Sequence, residues 1–254
     1  MTRCVGEATV HALVRRGARV LIIDVNDDDG EALVILHGPK AMYIHCEVTD
    51  EHGLEQAIQA AMEEFDLPLH AYINCDAIIG ALGQVDEMQA DSFAATLDLN
   101  VKGSFLGIKH AARVMKRDAV IDGAIVTMSS TAAVRSGMAP VAFTASQHAV
   151  IGLTQQAAAE LAPAGIRVNC ISPTILDTPM WRKYLKGDAS ISLADDLRCN
   201  QARHQPNQGR ILAGINYVED VANAVVFLAS NQASAITGSN VVVDGGSLTQ
   251  GKYP

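Results

Sequence analysis

Apolar positions recur along the chain in two rhythms. Short unbroken apolar runs read as strands buried on both faces. Between them lie longer stretches in which apolar residues return every three or four positions, the mark of amphipathic helices. In order, the pattern predicts a helix over Gly6–Arg16 stopped by Gly17, a strand over Arg19–Asp24, and a helix over Asp27–Leu36 closed by Gly38. A strand at Ala41–Cys46, a helix at Asp50–Phe65 and a strand at His70–Asn74 follow. One long helix, opened by an acidic cap at Asp91, runs to Arg117. Then come a strand at Gly123–Ser129, a helix at Val141–Ala162 and a strand at Ile166–Ile171. Pro173 to Ile215 is irregular. Asn216-Tyr-Val-Glu219 has the form of a capping box opening a helix to Ala229, and Asn240–Asp244 is the last strand. Alternation of this kind builds right-handed βαβ units, hence a parallel sheet with helices on both faces, an α/β doubly wound architecture. No repeat, low-complexity tract or linker interrupts it, so residues 1–254 read as one domain.

One element of that architecture is missing from the pattern. In a doubly wound sheet the first strand is central and its carboxyl end feeds the phosphate-binding turn. Here the sequence opens at that turn, with no strand before Gly6. Three accounts stand side by side: a shortened or mis-started chain, flanking strands that close up and pair directly, or a fold of low stability.

Composition narrows the class. The 254 residues are 49% hydrophobic and 19% charged, which suits a soluble domain with a sizeable core. A formal net charge of −9 argues against nucleic-acid and anionic-membrane partners. No apolar run approaches the roughly 18 residues of a membrane span, and no secretory h-region opens the chain, so a cytoplasmic protein is expected. The five cysteines are scattered without a Cys-x-x-Cys, which predicts reduced thiols and no metal site.

Candidate chemistry gathers at strand ends. Asp24, at the tip of its strand, is placed to accept the two ribose hydroxyls of an adenosine and to repel a 2′-phosphate, which favours NAD over NADP. The phosphate turn before the first helix keeps only Gly6 of three expected glycines; Cys4 and Met1 occupy the others, so weakened NAD binding is expected. The stretch Ser129–Leu161 delivers two serines from a strand and then carries Phe143 and Gln147 one helical turn apart, on one face.

Asn100-Val-Lys-Gly103, Gly123-Ala-Ile-Val-Thr-Met-Ser-Ser130, Arg167-Val-Asn-Cys-Ile-Ser-Pro173 and Ile236-Thr-Gly-Ser-Asn-Val-Val-Val-Asp-Gly-Gly246 together resemble the short-chain dehydrogenase/reductase family over essentially the whole chain. The segment Asn100–Met115 is similar to plant members that oxidise alcohols of specialised metabolites. The resemblance implies a catalytic set of Ser, Tyr, Lys and Asn. Ser130 and Asn100 match the Ser and the Asn, whereas Phe143 and Gln147 stand at the Tyr and Lys positions. It also implies cofactor contacts at Gly6, Asp24, Glu47 with its neighbour Val48, Asn74, Gln147, Pro173 and Thr178. The family's Asn-Asn-Ala-Gly turn reads here Asn74-Cys75-Asp76-Ala77. A lid over Thr178–Ile215, with Met180, Trp181, Tyr184 and Leu185 as an apolar substrate wall, is implied too, as is a homodimer or homotetramer built on the two long helices.

Phenylalanine has no proton to move, and glutamine neither titrates nor carries charge. Three functions remain open on this reading. One is an NAD-linked oxidoreductase of a small apolar alcohol or ketone with weak or lost turnover. The second is a non-redox cyclase or isomerase that reuses the pocket. The third is a non-catalytic protein. Asp76 as a substitute acid–base group and His148 as a surface histidine complete the candidates.

Overall fold

The two rhythms become parallel strands and the helices that cover them. The computed structural model describes residues 4–186 and 218–249. In chain order the elements are α1 (Val5–Arg15), β1 (Val20–Asp24), α2 (Asp27–His37), β2 (Ala41–His45), α3 (Glu51–Phe65), β3 (Ala71–Asn74), α4 (Ala90–Leu97) and α5 (Gly103–Arg117). They continue with β4 (Ala124–Met128), α6 (Val141–Leu161), β5 (Arg167–Pro173), α7 (Pro179–Lys186), α8 (Val218–Ala229) and β6 (Asn240–Val243). The expected α/β, doubly wound parallel architecture is present. Side chains set several helix starts: Asn26 accepts the Asp29 amide at 3.2 Å and Asp50 the Gly53 amide at 3.1 Å.

Two expectations change. The long helix from Asp91 is two helices joined by a π-helical turn, Asp98–Lys102, and its cap residue is Gln89 rather than Asp91. The Asn216 end of the expected capping box lies outside the described residues, as does most of the expected lid.

Among the described residues the strands form two sheets. β1 pairs with β2 in register Val20↔Ala41 to Asp24↔His45, while β3, β4, β5 and β6 pair in that order. No ladder joins β1 to β3, so the account in which the flanking strands close up and pair is overturned. Burial shows the same seam. Every residue of β4 and β5 is buried, whereas only Ile22 in β1 and Asn74 in β3 are.

Helices bridge the seam instead. Ala8 and Ala12 of α1 pack with Val126, Ile171 and Val225 of the larger sheet's layer, while Val10 and Val14 on the same helix pack with Ile22 and Ala41. On the other face Leu54 and Ile58 of α3 meet Leu106 of α5, with Ile23 alongside. A polar ladder runs along the α3–α5 contact. Glu51 takes Lys109 at 2.5 Å and His110 at 3.2 Å, Glu55 takes Arg113 at 3.0 Å, and Gln59 takes Arg117 at 3.1 Å. Half-exposed ion pairs contribute about 0–1 kcal/mol each. A buried leucine or isoleucine contributes about 1.5–3 kcal/mol, so the apolar contacts dominate the bridge.

α1 is also tied to α2 by a histidine pair. His11 Nδ1 and His37 Nε2 lie 2.7 Å apart and must share one proton, and Glu7 sits 3.6 Å from His11 Nε2. Burial, followed by the charges of His11, Arg15 and Lys40, holds His37 below the ordinary histidine range. The unfolded chain therefore binds this proton more readily than the folded one. Stability is lost as pH falls through the unfolded value of about 6.5 and toward the lower folded value. In urea titrations His37→Gln, which keeps a donor for His11 but does not titrate, should lose less unfolding free energy from about pH 7 to about pH 5 than the natural chain. Equal losses in the two proteins would contradict this role.

Candidate active site

The carboxyl ends of the parallel strands carry the candidate residues along one edge of both sheets, the edge at which open α/β sheets bind ligands. β4 is paired on both sides and delivers Ser129 and Ser130. Ser129 prolongs the ladder, its amide donating to Ile171 O at 2.7 Å. Its hydroxyl donates to the backbone carbonyl of Gln147 at 3.0 Å, which fixes α6 against the end of β4. Ser130 Oγ accepts the Ala132 amide at 3.2 Å and caps the short turn Thr131–Ala133, and among the described residues its proton is uncommitted.

α6 presents Phe143, Ser146, Gln147, Val150 and Thr154 to the sheet at helical spacing, all buried. Deeper along this face Thr154 and Thr127 share a hydroxyl hydrogen bond of 2.7 Å. Phe143 meets Trp181 of α7 edge to face with centroids 5.8 Å apart, and Trp181 meets Tyr184 at 5.6 Å. Ile79 and Ala132 complete the buried apolar wall around Phe143, with Met180 partly buried beside it. Met180, Trp181 and Tyr184 thus lie in one apolar cluster with Phe143; the side chain of Leu185 lies outside the described set.

Asn100 sits in the π-helical turn, a conformation that recurs at functional sites. Its Oδ1 accepts the Ile78 amide at 2.9 Å, and its Nδ2 donates to Ile78 O at 3.0 Å and to Ser146 Oγ at 2.9 Å. Ser146 in turn donates to Phe143 O at 2.8 Å. On the other side Asn74 Nδ2 donates to Ser104 Oγ at 2.8 Å, and Ser104 donates to Asn100 O at 2.7 Å. A buried chain Asn74–Ser104–Asn100–Ser146 therefore ties β3, the π turn and α6 together. Ser104 and Ser146 were not singled out by sequence. The available signal is that Ser104 lies four residues beyond Asn100 and Ser146 stands one before Gln147.

Gln147 itself is 1% exposed, and among the described residues its Oε1 has no hydrogen-bond partner. Thr178, just before α7, likewise has a buried unpaired hydroxyl. Pro173 ends β5 and is buried. His148 is exposed, its ring 2.8 Å from Thr144 O, and stays clear of the buried face.

Across the seam, Asp24 is exposed at the tip of β1 and accepts the Asn26 amide at 3.0 Å. Asp27, Asp28 and Asp29 follow in the first turn of α2. Tyr43 donates to Asp27 Oδ1 at 2.7 Å and His45 Nδ1 lies 2.8 Å from the same oxygen; these bonds hold the Asp27 carboxyl below the usual range. Glu47 is exposed beside them. Val48 is buried instead and turned to α5, where a Cβ on Gly103 would come within 2.7 Å of it. At the start of α1, Cys4 Sγ accepts the Glu7 amide at 3.3 Å, so the helix N-terminus is capped by its own thiol. A Cβ on Gly6 would meet only ordinary contacts, at 3.8 Å from Cys4 Sγ and 3.9 Å from Cys75 Cβ, so close packing does not require this glycine. Burial and the neighbouring Asp24 charge raise the Asp76 carboxyl above its usual range, and burial pushes the Cys75 thiol up to about 12. The tip of β1 thus presents exposed carboxylates, whereas the N-terminus of α1 is capped by its own thiol.

Removing Asn100 should leave both polar groups of Ile78 unpaired. Asn100→Ala is expected to lower the unfolding free energy by about 2–3 kcal/mol in urea, and a loss within about 0.5 kcal/mol would refute the structural role given to it.

Comparison with known proteins follows the same lines. A family profile described as enoyl-(acyl carrier protein) reductase matches residues 1–247. The chain is 37% identical over 246 residues to (+)-borneol dehydrogenase 2 of Salvia officinalis, covering 95% of this chain and 84% of that protein. It is 37% identical over 249 residues to xanthoxin dehydrogenase of Arabidopsis thaliana, covering 95% and 85%. The crystal structure of levodione reductase superposes with a TM-score of 0.84 at 25% identity, covering 97% of this chain and 94% of that one.

Proposed function

Since the chain belongs to the short-chain dehydrogenase/reductase family, we propose that it keeps that family's pocket for a small apolar metabolite while NAD-linked redox turnover at the pocket is nearly lost. The observation that carries this reading is the pair Phe143 and Gln147, buried on one face of α6 beside Ser129 and Ser130. Oxidising an alcohol requires a base for the hydroxyl proton while hydride leaves the carbinol carbon. Phe143 offers no atom for that proton, and Gln147 supplies neither charge nor a titrating group. Both protons of the Asn100 amide are committed, to Ile78 O and Ser146 Oγ.

A nicotinamide dinucleotide would supply the hydride acceptor. Asp24, with the acids of α2 beside it, favours the unphosphorylated ribose of NAD. The thiol cap at Cys4 and the Asp76 carboxylate oppose the pyrophosphate, so weak binding is proposed. A non-redox isomerase or cyclase is the second reading, favoured by the uncommitted proton of Ser130 at the mouth of an aromatic wall. In both readings the ligand is small and apolar, in keeping with the alcohol named in the borneol dehydrogenase relative.

Restoring the missing reagents tests the first reading. Phe143→Tyr with Gln147→Lys should raise NADH formation from a panel of cyclic alcohols by about 10²-fold or more over a nearly silent natural chain. Substantial NADH formation by the natural chain would sink the proposal.

A homodimer or homotetramer is proposed on a separate observation. Ala94, Leu97, Val101, Phe105 and Leu153 line an open apolar groove on α4, the π turn, α5 and α6, with Phe105 47% exposed. Phe105→Glu should shift the protein to monomer in light scattering coupled to size exclusion; an unchanged mass would remove the groove from the interface.

A further inference from the structure

Two cysteines meet where the bridging helix starts. Cys4 is the N-cap of α1, and its exposed thiol accepts the Glu7 amide. Cys75 directly follows Asn74, the last residue of β3 in the larger sheet, and is half-buried. Both border one spot: a Cβ on Gly6 would lie 3.8 Å from Cys4 Sγ and 3.9 Å from Cys75 Cβ. Gly6 leaves that spot open, so the Cys4 sulfur can turn off the Glu7 amide without meeting a side chain at residue 6. A third group faces the pair. The Thr9 hydroxyl of α1 is buried and has no hydrogen-bond partner among the described residues. It lies at the Cys75 sulfur, where it favours the thiolate. Cys46 and Cys170 are buried elsewhere, on β2 and β5 respectively, with their thiols directed to Glu47 O and Ile171 O.

We propose that Cys4 and Cys75 are a redox-sensitive thiol pair that closes to a disulfide and staples α1 to the larger sheet. The bond closes a covalent ring over residues 4–75, which holds the whole of the smaller sheet together with α2 and α3. Both chain connections between the two sheets are then joined at the seam. The oxidant is a small-molecule disulfide. The exposed Cys4 thiolate attacks one of its sulfurs, a mixed disulfide forms on Cys4, and one small thiolate leaves. The Cys75 thiolate then attacks Cys4 Sγ, the protein disulfide forms, and the second small thiolate leaves. The two protein thiols give up two protons and two electrons, and the small disulfide is reduced to two thiols. Burial raises both thiols above their ordinary range, so closure is slow near neutral pH and quickens as pH rises.

The full chain is incubated with glutathione disulfide at about pH 8, its remaining thiols are alkylated, and it is digested without reduction. The protein should lose the mass of two hydrogens and yield one linked peptide pair, Cys4 with Cys75. Its urea midpoint should rise by about 1 M over the reduced protein, because the bond closes a long ring in the unfolded chain. Cys4→Ser keeps an acceptor for the Glu7 amide, so it should fold, give no linked pair and show no rise. Recovery of Cys4 and Cys75 as alkylated thiols or as glutathione adducts overturns the inference, as does a bond from either to Cys199 or to a second chain. A linked pair with an unchanged midpoint overturns the staple. An equal rise in Cys4→Ser overturns it as well.

Discussion

The structure depends on helices that straddle a seam which, among the described residues, no backbone hydrogen bond crosses. β1 and β2 form one sheet and β3 to β6 another. What holds them as layers of one architecture is side-chain burial: α1 packs one stripe on each side, and α3 leans on α5 above β1. Interlocking apolar side chains are individually weak but lie in both sheets at once, so the seam is bridged on both faces. The cleft at the strand ends inherits this division. Asp24 and the acids near it belong to the smaller sheet, whereas Ser130, Asn74, Pro173 and the helix bearing Gln147 belong to the larger. The Asp24 charge reaches Asp76, so the two halves of the cleft are linked electrostatically.

Within the larger half, a buried polar scaffold underlies the candidate site. Asn74, Ser104, Asn100 and Ser146 are buried and mutually satisfied, the condition under which a polar network rigidifies its surroundings. The scaffold positions α6 closely enough that Ser129 bonds to it, yet the residues presented are an aromatic ring and an amide. Precision of placement and capacity for proton transfer are separate properties, and the Phe143 and Gln147 side chains supply no titrating group.

Much of this was legible in the sequence. The apolar runs at Val20–Ile23 and Ala124–Val126 read as strands, and the family motifs located Ser130, Asn100, Phe143 and Gln147 on their elements. The split of the sheet was not legible, because strand pairing is a tertiary matter that no local pattern encodes. Nor was the π turn: a helical apolar rhythm continues through Asp98–Lys102, and the extra residue hides in it. The Cys4 cap escaped because a thiol is an uncommon acceptor at a helix start. The α3–α5 ladder is written in the chain as Glu51, Glu55 and Gln59 against Lys109, Arg113 and Arg117, but the pairing of the two four-residue series needs the helices to be set side by side and parallel.

The π turn also sets an angular relation. An α-helix advances about 100° per residue, so one residue too many or too few between α4 and α5 would rotate everything downstream by that amount. Ser104 would leave Asn74, and the stripe of Leu106, Ile108, Ala111 and Met115 would swing off the sheet. The Asp98–Lys102 turn therefore works as a phase setter. α4 keeps a largely solvent-facing stripe and α5 a buried one, and outside Asn100 this stretch of chain can absorb changes of residue far more readily than a change of length.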